Sequence, residues 1–448
     1  MSNYHPDSLS TLLPIYYKRL FPHGPFFRWL SYGNVDTRCF ANREFSFTLE
    51  HDIYLRYQSF SNQEEFEKEI AKICPHKIDI GAVYSCRPKY RNQYVFQVIE
   101  KELVFDIDMT DYDDVRTCCS GADVCTKCWK FMVIACKIID AALREDFGFQ
   151  HILWVFSGRR GVHCWVCDES ARKLNNLARP AIAEYLQVLS GGENQAKKVT
   201  LISHIHPSIQ RALNFIEPLF DEVCIKDQDI LGTDDRIRKF TALIPDDEFR
   251  NSVGTAMLSL CSSKERWQNY FSLTQQKRNC KYLVEEIKLQ YTYPRLDIHV
   301  TKGMNHLLKS PFCVHPKTGK ICVPFNPKAV DKFDPTTVPT ISTLIEEVGE
   351  YDDKQKKILG DADKARVKDY KKTSVYKNVN VFEEFVRNLE ATWKGKNVKI
   401  GISEKSPNFA LGTRGNLCIT PSRPLSTMYV PSLRQPPYFS MIRYESAC

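Results

Sequence analysis

The chain has 448 residues, 43% of them hydrophobic and 26% charged, with a formal net charge of +8. These are ordinary values for a globular protein of two or three domains with ample chain for a core. No uninterrupted apolar run of ~18 residues occurs, so a membrane span is not expected, and the opening MSNYHPDSLST lacks the basic-then-apolar order of a secretory signal. The positive excess suits a polyanionic partner without naming one. Most of the cysteines are scattered in apolar runs, as at Cys136, Cys164 and Cys313. They read as buried reduced thiols, which points to a reducing compartment, cytosol or nucleus.

In chain order, Leu9, Leu12, Leu13, Tyr16, Tyr17 and Leu20 recur at helical spacing until Pro22. Alternation predicts a hairpin of 43–48 with 53–57. A helix is expected over 62–74, a strand over 77–84, two strands within 94–109 and a long helix over 127–147. Strands at 152–156 and 162–167 flank a glycine-rich turn. Over 169–290 strand signals nearly vanish and helical periods dominate, broken at Gly191-Gly192 and near Pro245. That span is expected to be a helical subdomain inserted between a first core part, 1–168, and a second, 291–375. Strands are expected to return at 295–301, 312–315 and 320–323. A helix over 376–394 and a proline-rich, disordered tail over 395–448 complete the reading.

Three groups of residues carry chemistry. In Leu103-Val104-Phe105-Asp106-Ile107-Asp108-Met109, alternate side chains of a strand share a face. The apolar set points into a core, and Asp106 and Asp108 point the other way, with Cα atoms ~6.5–7 Å apart. Paired carboxylates on a rigid strand repel unless they hold divalent cations, which take oxygen ligands; an exposed edge face is the plainer alternative. Asp297, within Leu296-Asp297-Ile298-His299-Val300, is expected on a second strand as a third ligand. Ser157-Gly158-Arg159-Arg160-Gly161-Val162-His163 is a tight turn with two forked donors suited to phosphate. Lys309 and His315 are candidates to complete that site. No Gly-x4-Gly-Lys-Ser/Thr loop is present, which excludes a P-loop ATPase. Cys118, Cys119, Cys125 and Cys128 can close a tetrahedral zinc site with no open position, hence a structural one.

Together VFDIDMTDYD, CCSGADVCTKC, FSGRRGVHCWV, RLDIHVTKGMNHLLKSPFCVHPKTG and the earlier REFSF, IYLRYQSF and KIDIGAVYS resemble the catalytic small subunit of eukaryotic DNA primases, in the archaeo-eukaryotic primase superfamily. The agreement runs in order from about residue 1 to residue 375. The resemblance implies an α/β (α+β) mixed-sheet catalytic core with an inserted all-helical subdomain and a zinc knuckle. It implies RNA primer synthesis on single-stranded DNA, with Asp106, Asp108 and Asp297 holding magnesium or manganese. It places Ser157, Gly158, Arg159, Arg160, Gly161, Val162, His163, His306, Lys309 and His315 at the triphosphate, and Arg56 and Asp79 near the bound nucleotide. Glu44 matches a position tied to activity and is grouped with the catalytic carboxylates, without a defined role. The implied partners are nucleoside triphosphates, template DNA and the RNA–DNA duplex, a large primase subunit and the DNA polymerase alpha complex; the implied compartment is the nucleus. Rival readings are a primase-polymerase preferring deoxynucleotides and a non-catalytic zinc protein that binds nucleic acid. The three strand carboxylates weigh against the latter, because they would repel a phosphate backbone without metals.

Overall fold

Among the described residues the strands are β1 (Arg43–Thr48), β2 (Tyr54–Gln58), β3 (Lys77–Tyr84), β4 (Val98–Glu100), β5 (Leu103–Asp108), β6 (Ile152–Phe156), β7 (Gly161–Val166), β8 (Leu308–Lys309) and β9 (Pro324–Phe325). They form two antiparallel sheets in a computed structural model that describes residues 4–33, 38–190, 195–202, 204–277, 280–359 and 367–403. The first sheet has the order β2-β1-β3-β4, with β8 also on β3; the second has the order β5-β7-β6-β9. The described residues up to 398 belong to one compact unit, and the final turns of the last helix to a second.

Each sheet has one apolar and one partly polar face, as period-two alternation requires. In β1, Phe45 and Phe47 join Phe60 and Phe66 in an aromatic cluster on the helix Gln63–Ile73. That helix begins where the Asn62 side chain accepts the Glu65 amide at 2.9 Å. The opposite face of the sheet carries Glu44, Ser46 and Asp79, all buried. In β5, Leu103, Phe105 and Ile107 are fully buried, each side chain contributing roughly 1.5–3 kcal/mol of burial free energy. The helix Thr126–Glu145 covers this apolar side, with Trp129 on Phe156 and the Trp154 indole N–H donating to Asp140 at 3.0 Å. On the other face Trp165 meets Trp29 edge to face at 5.5 Å. Farther along that face the packing gives way to Asp106, Asp108 and His163.

From Glu169 to Thr292 every described element is helical, in line with the helical periods over 169–290. The break expected at Gly191-Gly192 lies outside the described residues. The last helix runs Tyr376–Ser403, past the boundary expected at 394; the tail's prolines begin only at Pro407. Residues 404–448, the rest of the expected tail, also lie outside the described residues. A helix over Ile341–Leu359 was not anticipated. No helix among the described residues is long and apolar enough to cross a membrane.

Three strand expectations are corrected. Residues 295–301 are not a strand: Asp297 is the N-cap of a short helix, Ile298–Lys302, and accepts the His299 amide at 3.0 Å. The reason lies in β5, whose outer edge has no strand partner. The Asp297 amide donates to the Asp106 carbonyl at 3.1 Å, and the Thr301 hydroxyl donates to the Val104 carbonyl at 2.8 Å. The segment thus caps an exposed edge instead of extending the sheet. Residues 312–315 and 320–323 form a ladder too short for named strands, joined by the Val314–Ile321 bridge around the turn at Pro316–Gly319.

Candidate active site

Asp106 and Asp108 leave β5 on the same face, and the β5–β7 register sets His163 opposite Asp106 and Gly161 opposite Asp108. Asp297 arrives from the capping helix, its amide bonded to the Asp106 carbonyl. The three carboxylates, with Thr110, Asp111 and Arg295, line a cavity of about 530 Å³. Burial, then the nearby Asp108 and Asp297 charges, pushes Asp106 up to about 6. Asp111 is also pushed up to about 6, by burial and by Asp108 and Asp106. For Asp108 burial pulls upward but is outweighed. The Thr110 amide and hydroxyl donate to it at 2.9 and 2.8 Å and Arg160 at 2.8 Å, and its pKa falls below the usual range. The cavity therefore holds more negative charge than its own cations neutralise, the condition that an oxygen-seeking divalent ion relieves.

A second cavity, about 310 Å³, adjoins the first and shares Asp106 and Asp108 with it. Ser157, Arg159, Arg160, His163, His306, Lys309, His315 and Lys77 line it. The turn between β6 and β7 is held from inside and outside. The Gly161 amide donates to the Ser157 hydroxyl at 3.0 Å, Lys309 Nζ to the Ser157 carbonyl at 2.9 Å, and the Thr318 hydroxyl to the Gly158 carbonyl at 2.8 Å. Gly158 has φ +88°, and a Cβ there would lie 2.8 Å from the His315 Cβ. At Gly161 a Cβ would lie 2.4 Å from the Ile107 carbonyl oxygen, so only glycine lets β5 approach this closely. Burial, followed by Lys309, lowers His163 to about 3; burial, Lys309 and the two arginines lower His315 to about 3. Both rings are neutral near pH 7, and each buries an Nδ1 with no hydrogen-bond partner among the described residues. His306 is lowered by burial and by Lys101. Arg159, Arg160, Lys309 and Lys77 supply the positive charge, the pattern of a pocket for phosphate oxygens.

Not every expected residue joins them. Val162 is fully buried in the apolar layer. Glu44 lines neither cavity. Its buried carboxylate accepts from Arg56 at 2.9 and 3.3 Å, the Tyr57 amide at 3.4 Å and the Tyr84 hydroxyl at 3.1 Å. Arg56 is thereby committed to Glu44. Asp79 sits beside the second cavity, across the strand pair from Lys309 and 3.1 Å from Lys77 Nζ. Lys77, Thr110 and Asp111 went unrecognised in the sequence. Lys77 had a usable signal, since it lies two residues from Asp79 on one strand face.

Cys118, Cys119, Cys125 and Cys128 bring their sulfurs within 4.8 Å of one another, a group able to hold a metal ion. Its surroundings donate to sulfur: the Cys125 amide to Cys128 at 3.3 Å and Gln228 Nε2 to Cys118 at 3.4 Å. Gln228 is fully buried, and its Oε1 accepts the Thr117 and Cys118 amides, fastening the cluster to the helical region.

A model of the DNA primase small-subunit family matches residues 105–327. The DNA primase small subunit of Drosophila melanogaster is 49% identical over 415 residues, covering 88% of this chain and 95% of the fly protein. That of Saccharomyces cerevisiae is 38% identical, covering 77% of this chain and 87% of the yeast protein. Among solved structures, the polymerase domain of Mycobacterium tuberculosis ligase D in complex with DNA aligns with a TM-score of 0.35 and 10% identity over 80% of this chain and 93% of that one, too distant to bear on fold or function.

Proposed function

The chain belongs to the DNA primase small-subunit family, and on that premise we propose how its residues perform the family's reaction, RNA primer synthesis by a catalytic nucleotidyltransferase subunit. The observation that carries the reading is the adjoining pair of cavities, one acidic and one basic, that share Asp106 and Asp108.

Asp106, Asp108 and Asp297 are the ligands for magnesium or manganese, and the excess negative charge that raises Asp106 fits such ions. Ions held by these carboxylates would supply Lewis-acid chemistry, lowering the pKa of an attacking hydroxyl and stabilising the leaving pyrophosphate. Arg159, Arg160 and Lys309 neutralise the triphosphate of the incoming nucleotide, and the Ser157–Gly161 turn lets its backbone approach closely. His163 and His315, being neutral, offer hydrogen bonds to phosphate oxygens without adding charge. The Arg160–Asp108 pair at 2.8 Å places one donor of the basic cavity directly against a metal ligand, so metal and triphosphate are held by one connected set of groups. The cysteine cluster is a structural zinc site, since four thiolates leave no open coordination position. In this reading the protein works in the nucleus, with a large primase subunit that helps initiation and the DNA polymerase alpha complex that extends the primer.

The test is incubation with single-stranded DNA, labelled ribonucleotides and magnesium or manganese. Asp106→Ala abolishes labelled product while leaving the fold and zinc content unchanged. Undiminished synthesis by that variant would remove the assignment. Side-by-side incorporation of deoxynucleotides distinguishes a primase from a primase-polymerase.

A further inference from the structure

Next to the nucleotide cavity lies a surface that the reaction as described leaves unused. The loop from Ser85 to Gln97 joins β3 to β4 and is closed at its base, where the Ser85 amide donates to the Gln97 carbonyl at 2.9 Å and the Gln97 amide to the Ser85 hydroxyl at 3.1 Å. Between Tyr84 and Val98 the sequence has Arg87, Lys89 and Arg91 and no acidic residue. Phe96 stacks face to face on Tyr84 at 3.9 Å and meets Tyr57 of β2 edge-on at 6.0 Å. Two guanidinium groups cover the Tyr57 ring, Arg91 at 4.2 Å and Arg56 at 4.8 Å from its centroid. On the returning arm of the loop Tyr94 is 64% exposed.

This surface is rigidly built. Tyr57 has φ +61°, a left-handed conformation unfavourable for a bulky side chain. It is kept there by Glu44, which takes the Tyr57 amide, the Arg56 guanidinium and the Tyr84 hydroxyl together. Glu44 links the platform to the nucleotide cavity. Beside Gly81, its Cβ and Leu307, a lining residue of that cavity, both lie within 3.2 Å of where a Cβ would be. Along β3 the platform at Tyr84 is about 17 Å from Asp79, at ~3.4 Å per strand residue.

Resting on the primase reading above, we infer that this aromatic–arginine surface is where the single-stranded template DNA lies as it approaches the nucleotide site. A strand read by any sequence needs contacts that every base and every phosphate can make. Aromatic faces stack any base, and arginines pair with phosphate or stack in turn. The net charge is positive: Arg56 pairs with Glu44, Arg87 and Lys89 share the single Glu65, and Arg91 has no carboxylate within ion-pair distance among the described residues. The surface thus commits to a polyanion with exposed rings, not to a folded acidic protein.

The test uses the full chain and a fluorescent oligothymidylate, with affinity followed by anisotropy over a range of salt. Arg91→Ala combined with Tyr94→Ala removes the half-buried guanidinium over Tyr57 and the exposed ring, and leaves the Glu44 contacts in place. It weakens the oligonucleotide by about tenfold or more, flattens the salt dependence by about one ion, and raises the template KM more than it lowers kcat. Nucleoside triphosphate affinity measured with manganese stays within twofold, and Arg91→Lys restores much of the salt dependence. Oligonucleotide affinity within twofold of the parent would overturn the inference, as would an equal loss for oligonucleotide and nucleotide. Primer synthesis by the unmodified chain tests the primase reading separately; a chain that bound template through this surface yet polymerised nothing would refute that reading and leave the platform standing.

Discussion

Asp106 and Asp108 are two residues apart on one strand face, yet their pKa values move in opposite directions. Asp108 has three donors, two from Thr110 and one from Arg160, while Asp106 has carboxylate neighbours and a neutral histidine. With its folded pKa raised to about 6, ionised Asp106 costs stability, and the cost grows as pH rises from ~4 and is complete above about 6. Asp106→Asn therefore stabilises the metal-free protein by about 1–2 kcal/mol at neutral pH while abolishing incorporation. Thermal melts without added magnesium or manganese check the first effect and primer assays the second. Gly161→Ala acts sterically: a methyl 2.4 Å from the Ile107 carbonyl parts β5 from β7, costing about 1–3 kcal/mol by denaturant titration and displacing Asp108. The pairing of Asp106 with Asp108 was legible from period two alone. Glu44 was not, because its four donors come from residues brought together only by the folded sheet.

At the scale of elements, the sequence showed which segments alternate but not which strand edges would lie open. Leu296, Ile298 and Val300 read as one strand face. The open edge of β5 instead draws in a capped helical turn through Asp297 and Thr301. Residues 312–323 were legible as extended chain, and the partners that limit their ladder were not. The join between the sheets is fixed by Glu102, just before β5, whose carboxylate takes both Arg43 Nη groups at 2.9 Å and the Tyr32 hydroxyl in a fully buried site. Burial pushes Glu102 up, but Arg43 and Tyr32 outweigh it and hold the group down at about 2. A depressed carboxylate contributes stability that is full above ~4.3 and is lost as pH falls toward 2. Glu102→Gln leaves Arg43 buried without its counter-charge and costs about 3–5 kcal/mol at pH 7; chemical denaturation should show that loss shrinking in acid.

At the scale of the whole molecule, segments far apart in sequence meet at two places. One is the cysteine cluster, whose ligand spacing was evident in the sequence but whose tie to Gln228, about 110 residues on, was not. On the proposed zinc assignment, Gln228→Ala weakens metal retention about 10–100-fold, measurable as faster metal release to a chromogenic chelator. The other is the candidate active site, where β5, the turn before β7, the capping helix at Asp297 and β8 converge. The most direct measurement of that convergence is primer synthesis by Asp297→Asn, assayed with labelled ribonucleotides, single-stranded DNA and manganese, alongside its zinc content and melting temperature. Labelled product is expected to fall by at least about a thousandfold, some 4 kcal/mol of transition-state stabilisation, with zinc and melting unchanged. Product at the parent level would contradict this expectation.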